Sequence, residues 1–301
     1  MRNKIDIKGI GDPYILLFED VYYLYATSMD NGFKVWTSED LYNWNEPSVC
    51  YVKNERSFGS RWFWAPEVYY FNNKFYMYYT AQWSIYESEE LRLGVAVSDS
   101  PLGPFTDVFD KKPMFDPGYG LLDGNILCDD DGKKYLYYSR AAENNIIDGC
   151  KHAEIFVIEL DDDYVTVIGE PRRLLSVSQE WEKSCGIADK FWNEGSFILK
   201  HEGKYHIMYS ANAYFSKEYG IGAAVSDSPV SPFIKYDTNP ILHYIENELS
   251  GPGHNSVIKA KDGNLYCIYH AHTHYDKPSG DRQVYISPMS FKNGKIIIDF
   301  T

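Results

Sequence analysis

The chain has 301 residues, 43 acidic against 29 basic, with a formal net charge of −14 and 44% hydrophobic content. Such a surface repels a phosphate backbone and no basic stripe offsets it, which argues against nucleic acid as a partner. No apolar run is long enough to span a bilayer, and Met1 to Asp6 carry no apolar core of the signal-peptide kind, so a cytoplasmic location is expected.

Five cysteines (Cys50, Cys128, Cys150, Cys185 and Cys267) are scattered, odd in number and outside any CxxC pair. They read as reduced thiols rather than a zinc site or a disulfide framework. Aromatic residues make up 17% of the chain, 27 of them tyrosine. They suit pleated strands, and flat rings are also what the C–H faces of sugars stack on.

Taken in chain order, five segments repeat one pattern, a short polar turn followed by a tyrosine-rich run that ends near a hydroxyl. They run from Phe18 to Thr27, Phe71 to Thr80, Asp130 to Ser139, His201 to Ser210 and Lys261 to His270. Each reads as a β-hairpin. A second echo follows some of them, at Gly94 to Pro101 and Gly222 to Pro229, with a looser form at Trp36 to Asp40. A repeat of roughly 50 to 70 residues with only strand signals inside it predicts radial repetition of four-stranded sheets. The expected fold is all-β, a five-bladed β-propeller of four-stranded antiparallel blades around a central channel, formed as one domain over residues 1–301. Helix is expected only as a turn between Ser178 and Cys185. The last blade is expected to hold strands near 254–259, 264–270, 282–288 and 294–299, closing the ring without a full outer strand from the N-terminus.

One ionisable residue lies 13 to 16 residues before the last residue of each hairpin segment, on the strand that faces the channel of a propeller. These are Asp12 (Gly11-Asp12-Pro13-Tyr14), Glu67 (Trp64-Ala65-Pro66-Glu67), Asp123 (Leu122-Asp123-Gly124-Asn125), Glu194 (Asn193-Glu194-Gly195-Ser196) and His254 (Gly253-His254-Asn255-Ser256). A single acid beside Pro or Gly is an ordinary turn residue. Five in register with a five-fold repeat are not. Carboxylates gathered on one axis repel, their pKa values separate, and separated values are what acid–base chemistry requires.

With these motifs in this order, the chain resembles glycoside hydrolase family 43 from end to end. The resemblance rests on Asp12-Pro13-Tyr14, Trp64-Ala65-Pro66-Glu67, Asp123 after two apolar residues, Glu194-Gly195, Gly253-His254-Asn255-Ser256 and the late Arg282. It implies an inverting glycosidase for pentose-containing oligosaccharides. Asp12 would be the general base that activates water, and Glu194 the general acid. Asp123 would hold Glu194 and raise its pKa by repulsion. Arg282 would contact the deepest-bound sugar or steady the carboxylates, with Glu67 and His254 among the substrate-binding residues. Where many members have proline after the third acid, this chain has Gly124. Trp64, Trp83, Phe191 and Trp192 flank the motifs as candidate sugar platforms. No cofactor is required and no metal should touch the acid pair; some members hold a water-coordinated calcium ion where His254 would lie. An inverting pair should stand roughly 6.5–9.5 Å apart.

The expected activity is that of an exo-acting α-L-arabinofuranosidase or β-D-xylosidase. Family β-xylosidases frequently carry an extra C-terminal β-sandwich and this chain ends at Thr301, which tilts the expectation toward arabinofuranosidase. An endo-arabinanase is the alternative. A propeller phosphorylase would need several bases near the acids, where Arg61, Arg282 and Lys190 are few. A non-catalytic binding propeller has no reason to line its channel with acids.

Overall fold

A computed structural model describes residues 3–83 and 90–300. Among the described residues the secondary structure is strand throughout, save one 3₁₀ turn at Glu180–Lys183, where the sequence allowed a turn of helix. Four sheets have four antiparallel strands each, in chain order. They are Gly11–Phe18 to Ser48–Val52, Trp64–Phe71 to Thr106–Asp107, Leu121–Cys128 to Val167–Leu175, and Asn193–His201 to Ile234–Lys235. A fifth is built on Gly253–Lys259, Leu265–His272 and Arg282–Lys292. The first strand of each sheet touches the first strand of the next, and the last touches Gly11–Phe18, so the five sheets are blades closed into a ring. The structure is a β-propeller.

Ring closure departs from expectation. The N-terminal strand Asn3–Lys8 pairs with the first half of Arg282–Lys292 (Asn3 opposite Ile286), and Lys295–Ile298 pairs with its second half (Met289 opposite Ile298). The outer position of the fifth blade is therefore shared between the two ends of the chain. Arg282–Lys292, at 11 residues, is long enough to pair with both.

The hairpins follow turn chemistry. Phe18 opposes Val21 across Glu19-Asp20, and Phe71 opposes Lys74 across Asn72-Asn73, all four with positive φ, the backbone of two-residue hairpin turns that match strand twist. The echoed glycines sit on third strands. Gly94 and Gly222 face Tyr79 and Tyr209, and a Cβ at either would stand 2.5 or 2.6 Å from the tyrosine ring, so each glycine makes room for a buried aromatic.

Every inner strand is interrupted at the same place. Register slips after Gly11, Trp64, Leu122, Glu194 and Gly253, which oppose or lie beside Thr27, Thr80, Ser139, Ser210 and His270. The next residue in each case, Asp12, Ala65, Asp123, Gly195 or His254, has φ between 45° and 59°. Asp, His and Gly are the types that adopt this left-handed bulge with least strain. The backbone N–H freed there reaches the preceding blade. Ala65 donates to Thr27 Oγ1 at 2.8 Å, Asp123 to Thr80 Oγ1 at 3.0 Å, Gly195 to Ser139 Oγ at 3.2 Å and His254 to Ser210 Oγ at 2.7 Å. Asp12 closes the circle by donating to His270 Nδ1 at 3.0 Å. The recurring hydroxyl of the sequence repeat is thus a latch between blades.

Thr80 is wholly buried. Its replacement by isosteric Val strands the Asp123 N–H and is expected to lower unfolding free energy by about 1–3 kcal/mol, while Thr80→Ser, which keeps the acceptor, costs clearly less. Urea unfolding of the two variants measures the difference.

Candidate active site

The bulges deliver the site. Asp12, Asp123 and His254, each at the left-handed position of its blade, line one cavity of about 410 Å³ with Glu194, Arg282, Trp64 and Trp192. Glu194 precedes its bulge by one residue and opposes Ser210, because Gly195 takes the left-handed position under the His254 ring, which a Cβ there would approach to 3.1 Å. The sequence register placed Glu67 and Glu194 as equivalents of Asp12. In space Ala65 is that equivalent in the second blade.

Glu67 accordingly lies elsewhere. It falls two residues past the bulge, opposite Tyr78, and does not line the cavity. Its carboxylate accepts from the Tyr69 hydroxyl and from Asn125 Nδ2 at 2.8 Å, and burial pushes its pKa up to about 7. Among the proposed aromatic platforms, Trp64 and Trp192 line the cavity, whereas Trp83 and Phe191 do not. Trp83 instead carries the Arg92 guanidinium 5.6 Å from its ring, and Phe191 packs edge-on against His152 at 5.4 Å.

Asp12 is fixed from three sides. Thr27 donates its hydroxyl to Oδ2 at 2.6 Å, and Arg282 Nη1 and His254 Nδ1 each lie 3.1 Å from Oδ1. Burial alone would raise this carboxyl, but the Arg282 charge followed by that of His254 outweighs it, and Asp12 is held well below the usual carboxylate range. The same contacts act in reverse on His254. Burial opposes its protonation, yet Asp12 and Asp123 raise its pKa to about 9. His270, wholly buried and near Arg282, is driven well below the usual histidine range and stays neutral, as its latch requires.

The other two acids are moved the opposite way. Burial raises Glu194, and the neighbouring Asp123 carboxylate raises it further; burial also raises Asp123. One buried cavity therefore holds an acid kept ionised and an acid kept protonated, with the third between them.

Several lining residues had little or no sequence signal. Trp62, stacked on Trp64 at 5.8 Å, comes from the segment before the second blade. Tyr219, just ahead of the strand Gly220–Ser226, donates its hydroxyl to Glu194 Oε1 at 2.9 Å. Lys190 and Glu143 pair at 2.5 Å on the cavity wall near the third and fourth blades. Lys190 was visible as one of the few bases near the acids, and His270, outside the cavity lining, as the imidazole among four hydroxyl anchors.

A calcium ion held through water would have His254 as its protein contact. Among the described residues no three His, Cys, Asp or Glu side chains stand together as a ligand set, and His254 Nδ1 is engaged by Asp12.

A ring of five antiparallel sheets whose axial acids are split between ionised and protonated forms defines a class, the propeller glycoside hydrolases. The sequence profile described as glycosyl hydrolases family 43 matches residues 2–296, and the chain belongs to that family. It is similar to a solved thermostable family-43 glycoside hydrolase, at 44% identity and a TM-score of 0.93, covering 99% of this chain and 95% of that one. It is 26% identical to a β-D-galactofuranosidase of Aspergillus niger, covering 96% of this chain and 81% of that protein. It is 28% identical to an arabinoxylan arabinofuranohydrolase of Paenibacillus polymyxa, covering 94% of this chain but 48% of that protein.

Because Arg282 is the largest charge holding Asp12 ionised, Arg282→Met is expected to move the Asp12 titration upward by roughly one to three pH units. Carbon-detected NMR of the carboxyl groups reads that midpoint directly.

Proposed function

We propose that the chain is an inverting glycosidase acting on α-L-arabinofuranosyl linkages of oligosaccharides, with Asp12 as general base and Glu194 as general acid. The observation that carries this reading is the opposed titration of the two acids in one cavity. An ionised Asp12 takes a proton from water as its oxygen attacks the anomeric carbon. The glycosidic C–O bond breaks, and the proton of Glu194 passes to the leaving oxygen. Turnover leaves Asp12 protonated and Glu194 ionised, and exchange with solvent restores both. Asp123 keeps Glu194 protonated by repulsion, and Arg282 keeps Asp12 ionised and in place.

The furanoside preference draws on two of the relatives, the β-D-galactofuranosidase and the arabinofuranohydrolase, both named for furanose substrates, while others are named as xylosidases. α-L-Arabinofuranose repeats the ring configuration of β-D-galactofuranose with an exocyclic chain one carbon shorter, so one pocket can serve either glycone. Trp64 and Trp192 supply apolar faces for sugar C–H groups. A β-D-xylopyranoside is the competing pentoside, and the same assay separates the two.

Nitrophenyl α-L-arabinofuranoside, β-D-galactofuranoside and β-D-xylopyranoside, with arabinan and xylan, form the test set. The arabinofuranoside should be hydrolysed fastest. Asp12→Ala should lose about 10²–10⁴-fold on every substrate. Glu194→Ala should lose as much on sugar leaving groups and far less on nitrophenyl ones, which leave without protonation. Equal losses on both leaving-group types would reassign the acid.

A further inference from the structure

Resting on that reading of Glu194 as the acid, we propose that Tyr219 is its positioning residue: the phenol occupies Oε1 and leaves Oε2 as the oxygen that carries and delivers the proton. Three observations support this. The Tyr219 hydroxyl lies 2.9 Å from Glu194 Oε1, and the phenol, deeply buried and close to three carboxylates, is raised well above its ordinary range and so remains a donor throughout. A carboxyl oxygen that accepts this bond is disfavoured as the protonated one. The acidic proton therefore resides on its partner.

The ring is also held in one orientation. Tyr219 is 1% exposed and stacks on His270 at 5.8 Å with an interplanar angle of 4°. Its other neighbour is Gly253, where a Cβ would stand 2.1 Å from the ring. The fifth blade thus omits a side chain at the one point where Tyr219 must pass. A tyrosine so confined loses little further freedom when it orders Glu194.

The arrangement joins the two acids. Tyr219 bonds the acid, lies on His270, and His270 accepts the backbone N–H of the base Asp12. The position of the proton donor is thereby referred to the blade junction that fixes the base.

The charged and titratable groups facing Glu194 are Asp123, Asp12, His254 and Tyr219. Asp123 and Asp12 favour its protonated form; His254 and the Tyr219 hydrogen bond favour the ionised form. Two substitutions therefore move the alkaline limb of kcat/KM in opposite directions. Tyr219→Phe removes a bond that favours ionisation, so Glu194 stays protonated to higher pH and the limb moves up. Asp123→Asn removes a like charge, so the limb moves down.

The experiment measures pH profiles and leaving-group dependence for the wild type, Tyr219→Phe and Asp123→Asn, with thermal unfolding to establish that each is folded. Tyr219→Phe is expected to lose roughly ten-fold in kcat on arabino-oligosaccharides, with KM little changed, and under three-fold on nitrophenyl arabinofuranoside. An unmoved or lowered limb, or an equal loss on both leaving groups, overturns the proposal while leaving the glycosidase reading intact. If the wild type hydrolyses none of the glycosides, that reading falls first and this one with it. Should Tyr219→Phe fail to fold, Gly253→Ala, which displaces the ring from its other side, is expected to move the limb the same way, and an unmoved limb there overturns the proposal equally.

Discussion

A circle of five backbone-to-side-chain hydrogen bonds holds the molecule to one geometry. Each blade extends a Thr, Ser or His side chain to the N–H exposed by a bulge in the next blade, and the fifth returns to the first. The bulge is required because a regular strand would spend that N–H inside its own ladder. Its left-handed residue is turned out of the sheet, and at three of the five positions that residue is Asp12, Asp123 or His254. The contact that assembles the propeller is therefore the contact that aims the functional groups. Thr27 shows the economy of the device, since its oxygen accepts from Ala65 while its hydroxyl proton serves Asp12.

Burial alone would raise every carboxyl on the axis. What separates them is where the two cations stand. Arg282 and His254 both contact Asp12 Oδ1, while among the described residues Glu194 accepts its hydrogen bond from the neutral hydroxyl of Tyr219. Asp12 is thereby held as a carboxylate and Glu194 as an acid, although both lie in the same cavity. Geometry set by the latches and charge set by the fifth blade divide the labour.

Much of this was legible in the sequence, for identifiable reasons. The hairpins announced themselves by polar turns ahead of tyrosine runs, and the anchors Thr27, Thr80, Ser139, Ser210 and His270 proved to be the latches themselves. Asp12, Asp123, Glu194 and His254 meet in one cavity as their recurrence suggested, joined by Arg282, which the resemblance had named. Glu67 was misplaced because spacing counted from the anchor cannot see a bulge: a slip of two residues carries a side chain from the cavity into the Tyr69–Asn125 network below it. Trp83 was nominated because it flanks a motif, and nearness in sequence does not fix direction. Tyr219 and Trp62 had no repeat to mark them, for both come from segments that lead into strands. Of the shared outer position of the fifth blade, the C-terminal half was anticipated near 294–299, and the N-terminal half, Asn3–Lys8, was hidden because it lies at the other end of the chain.

The central claim is that water, activated by Asp12, attacks the sugar directly while Glu194 protonates the departing oxygen. Proton NMR of the first minutes of hydrolysis of an α-L-arabinofuranoside tests it most directly, because the anomer released first reports whether one displacement occurred or two. The account predicts β-L-arabinofuranose as the initial product, with the α anomer appearing later by mutarotation. Initial release of the α anomer, or a glycosyl group trapped on Asp12, would contradict it.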